Sequence, residues 1–600
     1  RWIAQGMPAG ASDAPMVERI EVIPSDRVLD RESDQQLAVI AHYTDGSTED
    51  VTRMTQFESN DPEMASTTTE GLVSTGSLSG SVAVMTRYQG QVAVFRATIP
   101  LGLKLDNLPA PANFIDEQVF AKLKQLGMPP SALSDDATFL RRVTVDIAGR
   151  LPTYEETEAF LKDSSPGKRS KLIDRLLASR DYAEYFATKW CAVLRNKRQR
   201  NEERRITYAF REWVCESLNE NVPYDQFVRS IITATGTVRT NPAVAWYKQV
   251  RDQFAQVEDT AQLFLGLRIQ CARCHHHPFE KWSQRDYYGF AAFFSKVARK
   301  PGPYTFEDRI YSRRGGASST NPKTGKGVPP TGLGSQPVEL SPDDDPRKAL
   351  ADWMSAPDNP FFARALVNRY WKHFFGRGLV DPEDDLRVTN PASHPELLDQ
   401  LARHFVESGY DLKGLIRTIC NSRTYQLSSE PNDFNVSDRQ NFSRYYPKRL
   451  NAEVLLDAID VVTGSPTNFG QVPVGTRAVE LPDSGFNSYF LTVFGRPQAA
   501  SACECERSSE ANLAQSLHLI NSREVQSKVG GKRVQELAKK DADHRANVRR
   551  LYLTAFSREP TAEELEIALQ YIQNKKDQIR PAYEDLVWAL INTKEFLFNH

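Results

Sequence analysis

Cys271-Ala272-Arg273-Cys274-His275 lies between two stretches whose apolar residues fall at helical spacing. Phe254, Val257, Ala261, Leu263, Phe264 and Leu267 predict a helix over about 252–270. Trp282, Tyr287, Tyr288, Phe290, Phe293 and Phe294 predict a second, aromatic helix over 283–297. The region is therefore helical, and the pentapeptide between the helices carries chemistry. Two thiols three residues apart can add to the two vinyl groups on one porphyrin edge, and the following histidine is then held against the iron. In a chain with 7 Cys and 10 His among 600 residues, roughly 0.001 C-x-x-C-H motifs arise by chance. Cys271, Cys274 and His275 are the candidate residues for covalent haem c, with His275 as proximal ligand. The competing readings are zinc, with His276, His277, Cys503 or Cys505 completing the site, a redox-active or structural disulfide, and a coincidence of buried residues.

Working outward, the helical period holds over 113–298. Phe139, Leu140, Val143 and Ile147 share one face, and Leu172, Ile173, Leu176 and Leu177 another. Thr153-Tyr154-Glu155-Glu156 opens a helix with a capping box. The basic run from Arg195 to Arg205 reads as a solvated face, or supplies Arg195 or Arg198 to a haem propionate. Residues 101–112 form a linker containing Leu108-Pro109-Ala110-Pro111. Before it, over 15–100, the period is 2. Leu37, Val39, Ala41 and Tyr43 alternate, as do Val82 and Val84, then Val92 and Val94, with Asp45-Gly46 and Gln89-Gly90 as tight turns. A small β-sandwich follows from this. Residues 1–14 read as a tail without a fold of their own. Residues 299–345 are rich in Gly, Ser and Pro and read as a long loop or interdomain linker, a tether or a gate. From 346 to 600 the chain is helical again. The fold class is multidomain: an all-β sandwich, then two mainly α-helical domains.

Composition narrows the function. A net charge of −2 speaks against nucleic-acid or acidic-membrane partners. No apolar run approaches the ~20 residues of a membrane span. Seven cysteines are too few for a dense disulfide framework. The chain opens Arg1-Trp2-Ile3, without a signal peptide, so it reads as a fragment or a processed form. Covalent haem implies an extracytoplasmic location, the periplasm or cell surface.

Longer motifs carry resemblances. Tyr43-Thr44-Asp45-Gly46-Ser47-Thr48-Glu49-Asp50-Val51-Thr52, with Ser59-Asn60-Asp61-Pro62 and Gly71-Leu72-Val73, resembles the bacterial Ig-like group 2 family. Phe264-Leu265-Gly266-Leu267-Arg268-Ile269-Gln270, continuing through the pentapeptide to His276-His277-Pro278-Phe279, and then Asp286-Tyr287-Tyr288-Gly289-Phe290, resembles the planctomycete cytochrome-like family of unknown function. Trp371-Lys372-His373-Phe374-Phe375-Gly376, Lys448-Arg449-Leu450-Asn451-Ala452-Glu453 and the closing Phe596-Leu597-Phe598-Asn599-His600 resemble the helical domain that accompanies it. These resemblances imply an upstream cytochrome c module with a signal peptide, and a setting linked to polysaccharide use. Carbohydrate or cell-surface components are then candidate partners, beside an unidentified redox partner.

The distal iron ligand is open. Methionine is a poor candidate, because after Met128 only Met354 remains. That leaves histidine, water or an open position; His373 and His518 are the histidine candidates, each competing with the reading of a satisfied core histidine. Cys503-Glu504-Cys505-Glu506 is a possible second site: metal ligands, a disulfide or a redox relay. Glu383-Asp384-Asp385 reads as salt-bridge residues before calcium ligands. No G-x-S-x-G, P-loop or H-E-x-x-H is present. The leading expectation is an exported haem c protein acting in electron transfer or an oxidoreductase step. The alternative is a structural or adhesive surface protein whose Cys/His cluster binds zinc or forms a disulfide.

Overall fold

The computed structural model describes residues 14–277, 280–507, 512–539, 542–575 and 578–600. Residues 1–13 of the expected tail lie outside that set. The chain is all-β up to Ile99 and mainly helical from Phe114 onward, as the change of period requires.

Three small sheets build the β part: Val17–Ile23, Ala38–Tyr43 and Thr48–Asp50; Asp26–Val28, Gln91–Ile99, Gly80–Tyr88 and Gln56–Ser59; and Asp34–Gln36, Leu72–Thr75 and Ala65–Thr67. They enclose one core containing Val22, Val39, Val73, Val84 and Phe95. Gln89 and Gly90 both have positive φ, 45° and 85°, the backbone a two-residue hairpin needs. On the last strand the core face is Phe95, Ala97 and Ile99, while Val92 and Val94 are half-buried. Register explains this: Phe95 faces Val84 and Ala97 faces Val82, and directly opposed residues share a face.

The helical part is organised on Asp136–Ala148, which Asp135 caps through Thr138 N. Phe139, Leu140, Val143 and Ile147 are buried as the spacing predicts, but so are Arg141 and Arg142. Arg141 donates to the carbonyls of Ala555 (2.7 Å) and Phe596 (2.9 Å). Arg142 donates to those of Leu427 (2.8 Å) and His600 (3.0 Å) and stacks on Tyr445. Two buried guanidinium groups thus satisfy carbonyls at the far end of the chain. One continuous apolar core runs from Ile115 to Phe596, so residues 113–298 and 346–600 are packed into one body. The β part keeps its own core and meets this body through few polar contacts, such as Gln440 Nε2 to Ser81 O at 2.7 Å and the Arg439–Glu63 ion pair.

Residues 299–345 are not a free tether. Val297–Pro301 pairs with Asp308–Ser312, and Ser319–Thr320 with Gly327–Val328. Gly236 exchanges backbone hydrogen bonds with Ile310, and Thr331 N donates to Gly289 O. Ile310, Val328 and Leu333 are buried anchors that the Gly/Ser-rich composition masks. Among the described residues no helix is long and apolar enough to cross a membrane.

Candidate functional site

The helix Gln253–Phe264 starts at Asp252, whose carboxylate accepts from Phe254 N and Ala255 N. It ends at Gly266, with φ 66°, where an added Cβ would come within 2.7 Å of Leu386. A short 3-10 turn, Gln270–Arg273, follows. Within the pentapeptide only Ala272 is buried; Cys271, Arg273, Cys274 and His275 are exposed. The turn is held from behind. Gln284 Nε2 donates to the carbonyls of Arg273 (3.0 Å) and Cys274 (2.9 Å), and Arg273 lies 4.1 Å over the Phe254 ring. Gln284 opens the aromatic helix, which runs from Gln284 to Ala292, shorter than the spacing suggests. A second brace comes from the C-terminal part. Leu386 N donates to Gly266 O, Gln262 to Asp384 (2.6 Å) and Val388 N to Glu280 (2.9 Å), and Arg268 pairs with Asp384.

Both thiols of the pentapeptide are free. His275 Nδ1 lies 2.6 Å from the carbonyl of His276. A carbonyl only accepts, so Nδ1 carries the proton and Nε2 keeps its lone pair, as an axial iron ligand requires. Nε2 has no partner among the described residues. The donor set therefore fits covalent haem: two accessible thiols on one turn beside an imidazole in the metal-binding tautomer. His277 is turned inward, with Nε2 donating to Arg268 O at 2.9 Å and its own N–H to Trp282 O. Burial holds its pKa below the ordinary histidine value. Among the described residues no three His, Cys, Asp or Glu side chains are grouped as a metal site. Pro278 and Phe279 lie outside the described residues.

The structure does not bring the distal candidates to this turn. His373 packs against Tyr185, Phe186 and Phe374, with Nε2 donating to Asp146 O. His518 sits among Tyr489, Phe490 and Phe494, 3.3 Å from Glu524. Arg195 pairs with Asp259 (3.0 Å), and Arg198 donates to Gln471 (2.7 Å), so both propionate candidates already have protein partners. Glu383, Asp384 and Asp385 pair with Lys372, Arg268 and Arg387, in line with the salt-bridge reading. Cys503 is disulfide-bonded; the side chain of Cys505 lies outside what is described.

Sequence reasoning missed where His373 does sit. It lines a cavity of about 690 Å³ between the two helical segments, with Asp146, Tyr185 and Lys189 from the first and Lys448, Asn451, Glu504 and Asn599 from the second. Glu504 is clamped by Lys189 (3.2 Å) and Arg369 (3.8 Å), and these cations, with Lys372 and Arg507, hold its carboxyl far below the ordinary range against the cost of burial. The signal was present: the motifs around 371–377, 448–453, 503–507 and 596–600 all end on this cavity.

Residues 114–299 match a family model, PSCyt2, described as a protein of unknown function (DUF1549). Residues 346–572 match a second, PSD1, described as a protein of unknown function (DUF1553). The chain carries the two domains in that order. No curated protein matches it.

Proposed function

We propose that this chain is an exported haem c protein working in electron transfer or an oxidoreductase step, with haem attached at Cys271 and Cys274. The observation that carries the reading is the state of the turn: two free, exposed thiols beside a His275 whose Nδ1–H is already committed to a carbonyl. Bound haem would supply one-electron iron chemistry. The residues of the chain would do the rest. Cys271 and Cys274 hold the porphyrin edge, and His275 Nε2 faces the metal. The contacts from Gln284, and from Asp384 through Arg268, keep the turn in register. Exposure of the turn suits exchange of electrons with a docking partner better than chemistry in a sealed pocket. A link to polysaccharide use belongs to the same reading and rests on the family resemblance.

The test is a pyridine-haemochrome spectrum with mass spectrometry of the peptide containing residues 271–274, on protein from its native host. Added haem mass on that peptide is expected. Two unmodified thiols would overturn the reading.

A further inference from the structure

The cavity beside His373 carries a second inference, independent of haem. Most of its charged lining is spent within the protein. Lys448 is bound to Asp146 and to the carbonyls of His373 and Phe374. Lys372 pairs with Glu383, Arg507 with Glu453, Lys189 with Glu504 and the exposed Arg439 with Glu63. Asp438 accepts from Ser443 and Tyr446. Asp381 is exposed.

What remains has a pattern. Arg377, half-buried, makes no hydrogen bond or ion pair among the described residues. Arg444 touches the Tyr446 ring, has no carboxylate partner among the described residues, and its buried Nε has no hydrogen-bond partner there. Asn599 gives its Nδ2–H to Asp146, and its Oδ1 is sealed from the cavity. His373 donates Nε2–H to Asp146 O, so its Nδ1 offers only a lone pair. Two guanidinium groups thus ask for an oxyanion, and the His373 lone pair asks for a hydroxyl donor. Charged and polar side chains are ordinarily paired, and those left unspent along a cavity are a ligand's complement.

We infer that this cavity binds a small polyhydroxylated oxyanion, a sugar acid or a sugar phosphate or sulfate. Arg377 and Arg444 take the anionic group, and His373 accepts from a hydroxyl. A volume of about 690 Å³ is ample for one such molecule.

The test uses the full chain and isothermal titration with D-glucuronate, glucose 6-phosphate and glucose 6-sulfate, against glucose and sodium chloride of matched ionic strength. At least one anionic sugar should bind saturably, and neither control should. Arg377→Gln and Arg444→Gln should each weaken that binding about tenfold or more, the loss of a charge-assisted hydrogen bond. Their unliganded melting temperatures and circular dichroism should match the parent. Which arm binds distinguishes a carboxylate from a phosphate or sulfate ester. The inference is overturned if no anionic sugar binds, if glucose binds as well as its anionic relatives, or if the double variant binds as the parent does.

Discussion

His373 Nε2 lies 2.8 Å from the carbonyl oxygen of Asp146, and this hydrogen bond joins helix Phe362–Phe375 to helix Asp136–Ala148. Burial, then the nearby Lys189 and Lys448, hold the imidazole well below its ordinary pKa, so it stays neutral with its Nε2 proton committed. A histidine locked this way is part of the joint between the two helical segments. The expectation of a distal iron ligand at His373 or His518 changes accordingly. In haem-loaded protein, His373→Ala and His518→Ala should each leave the Soret maximum where it is. A shifted maximum in a folded variant would return that histidine to the iron.

Asp146 is the hub of the same joint. Its carboxylate accepts from Lys448 (2.9 Å), Asn599 (2.9 Å), Tyr425 (2.9 Å) and Tyr445 (3.2 Å), all from beyond residue 346. Asp146→Asn would leave the half-buried Lys448 ammonium without its counter-charge. Removing one partner of a buried pair typically costs about 3–5 kcal/mol. Urea denaturation of the helical body should show a loss of that order. A loss under about 1 kcal/mol would mean that Lys448 finds enough compensation in the carbonyls it already contacts.

The sequence shows this joint only in pieces. Leu140, Val143 and Ile147 announce a helix face, because apolar spacing reports burial. Arg141, Arg142 and Asp146 on the same helix are as deeply buried, and nothing in their local spacing says so; their partners lie some 280 to 460 residues away, at Tyr425, Ala555, Asn599 and His600. The pentapeptide was legible because its chemistry is local. The cavity was legible only as scattered motifs, because it is assembled from seven separate segments. The hairpins within 299–345 were hidden for a different reason: a few anchors such as Ile310 and Leu333 hold a segment whose composition is that of a loop.

The β part and the helical body have separate cores, joined by contacts such as Gln440 to Ser81 and the exposed Arg439–Glu63 pair. An exposed pair of this kind contributes little. A chain lacking residues 1–100 should therefore fold, with the melting temperature of the helical transition lowered by no more than a few degrees and any haem spectrum unchanged. Loss of cooperative unfolding in the shortened chain would show that the helical body depends on the β part.

Asp457 makes the pH dependence testable. It lies on helix Ala452–Thr463, buried, with its carboxylate accepting from Ala478 N (2.6 Å) and Val479 N (3.2 Å). Burial raises its pKa from 3.8 to about 7, against the pull of those two N–H groups and Arg477. The sign follows from proton counting. Below the unfolded value both states are protonated. Between the two values the folded chain keeps a proton that the unfolded chain has lost, so stability falls as pH rises, by about 1.4 kcal/mol per unit for this group. Above the folded value both are ionised and the loss is complete. Asp457→Asn keeps an oxygen for the two N–H donors and removes the titration. Glu453 and Glu504 titrate in the opposite sense and are common to both proteins, so the difference between them isolates Asp457. Urea midpoints compared from about pH 4 to about pH 8 should move steadily in favour of the variant and level off above the folded pKa. A difference that stays constant across that range would mean that Asp457 is already ionised in the folded protein at low pH, its two N–H donors outweighing its burial.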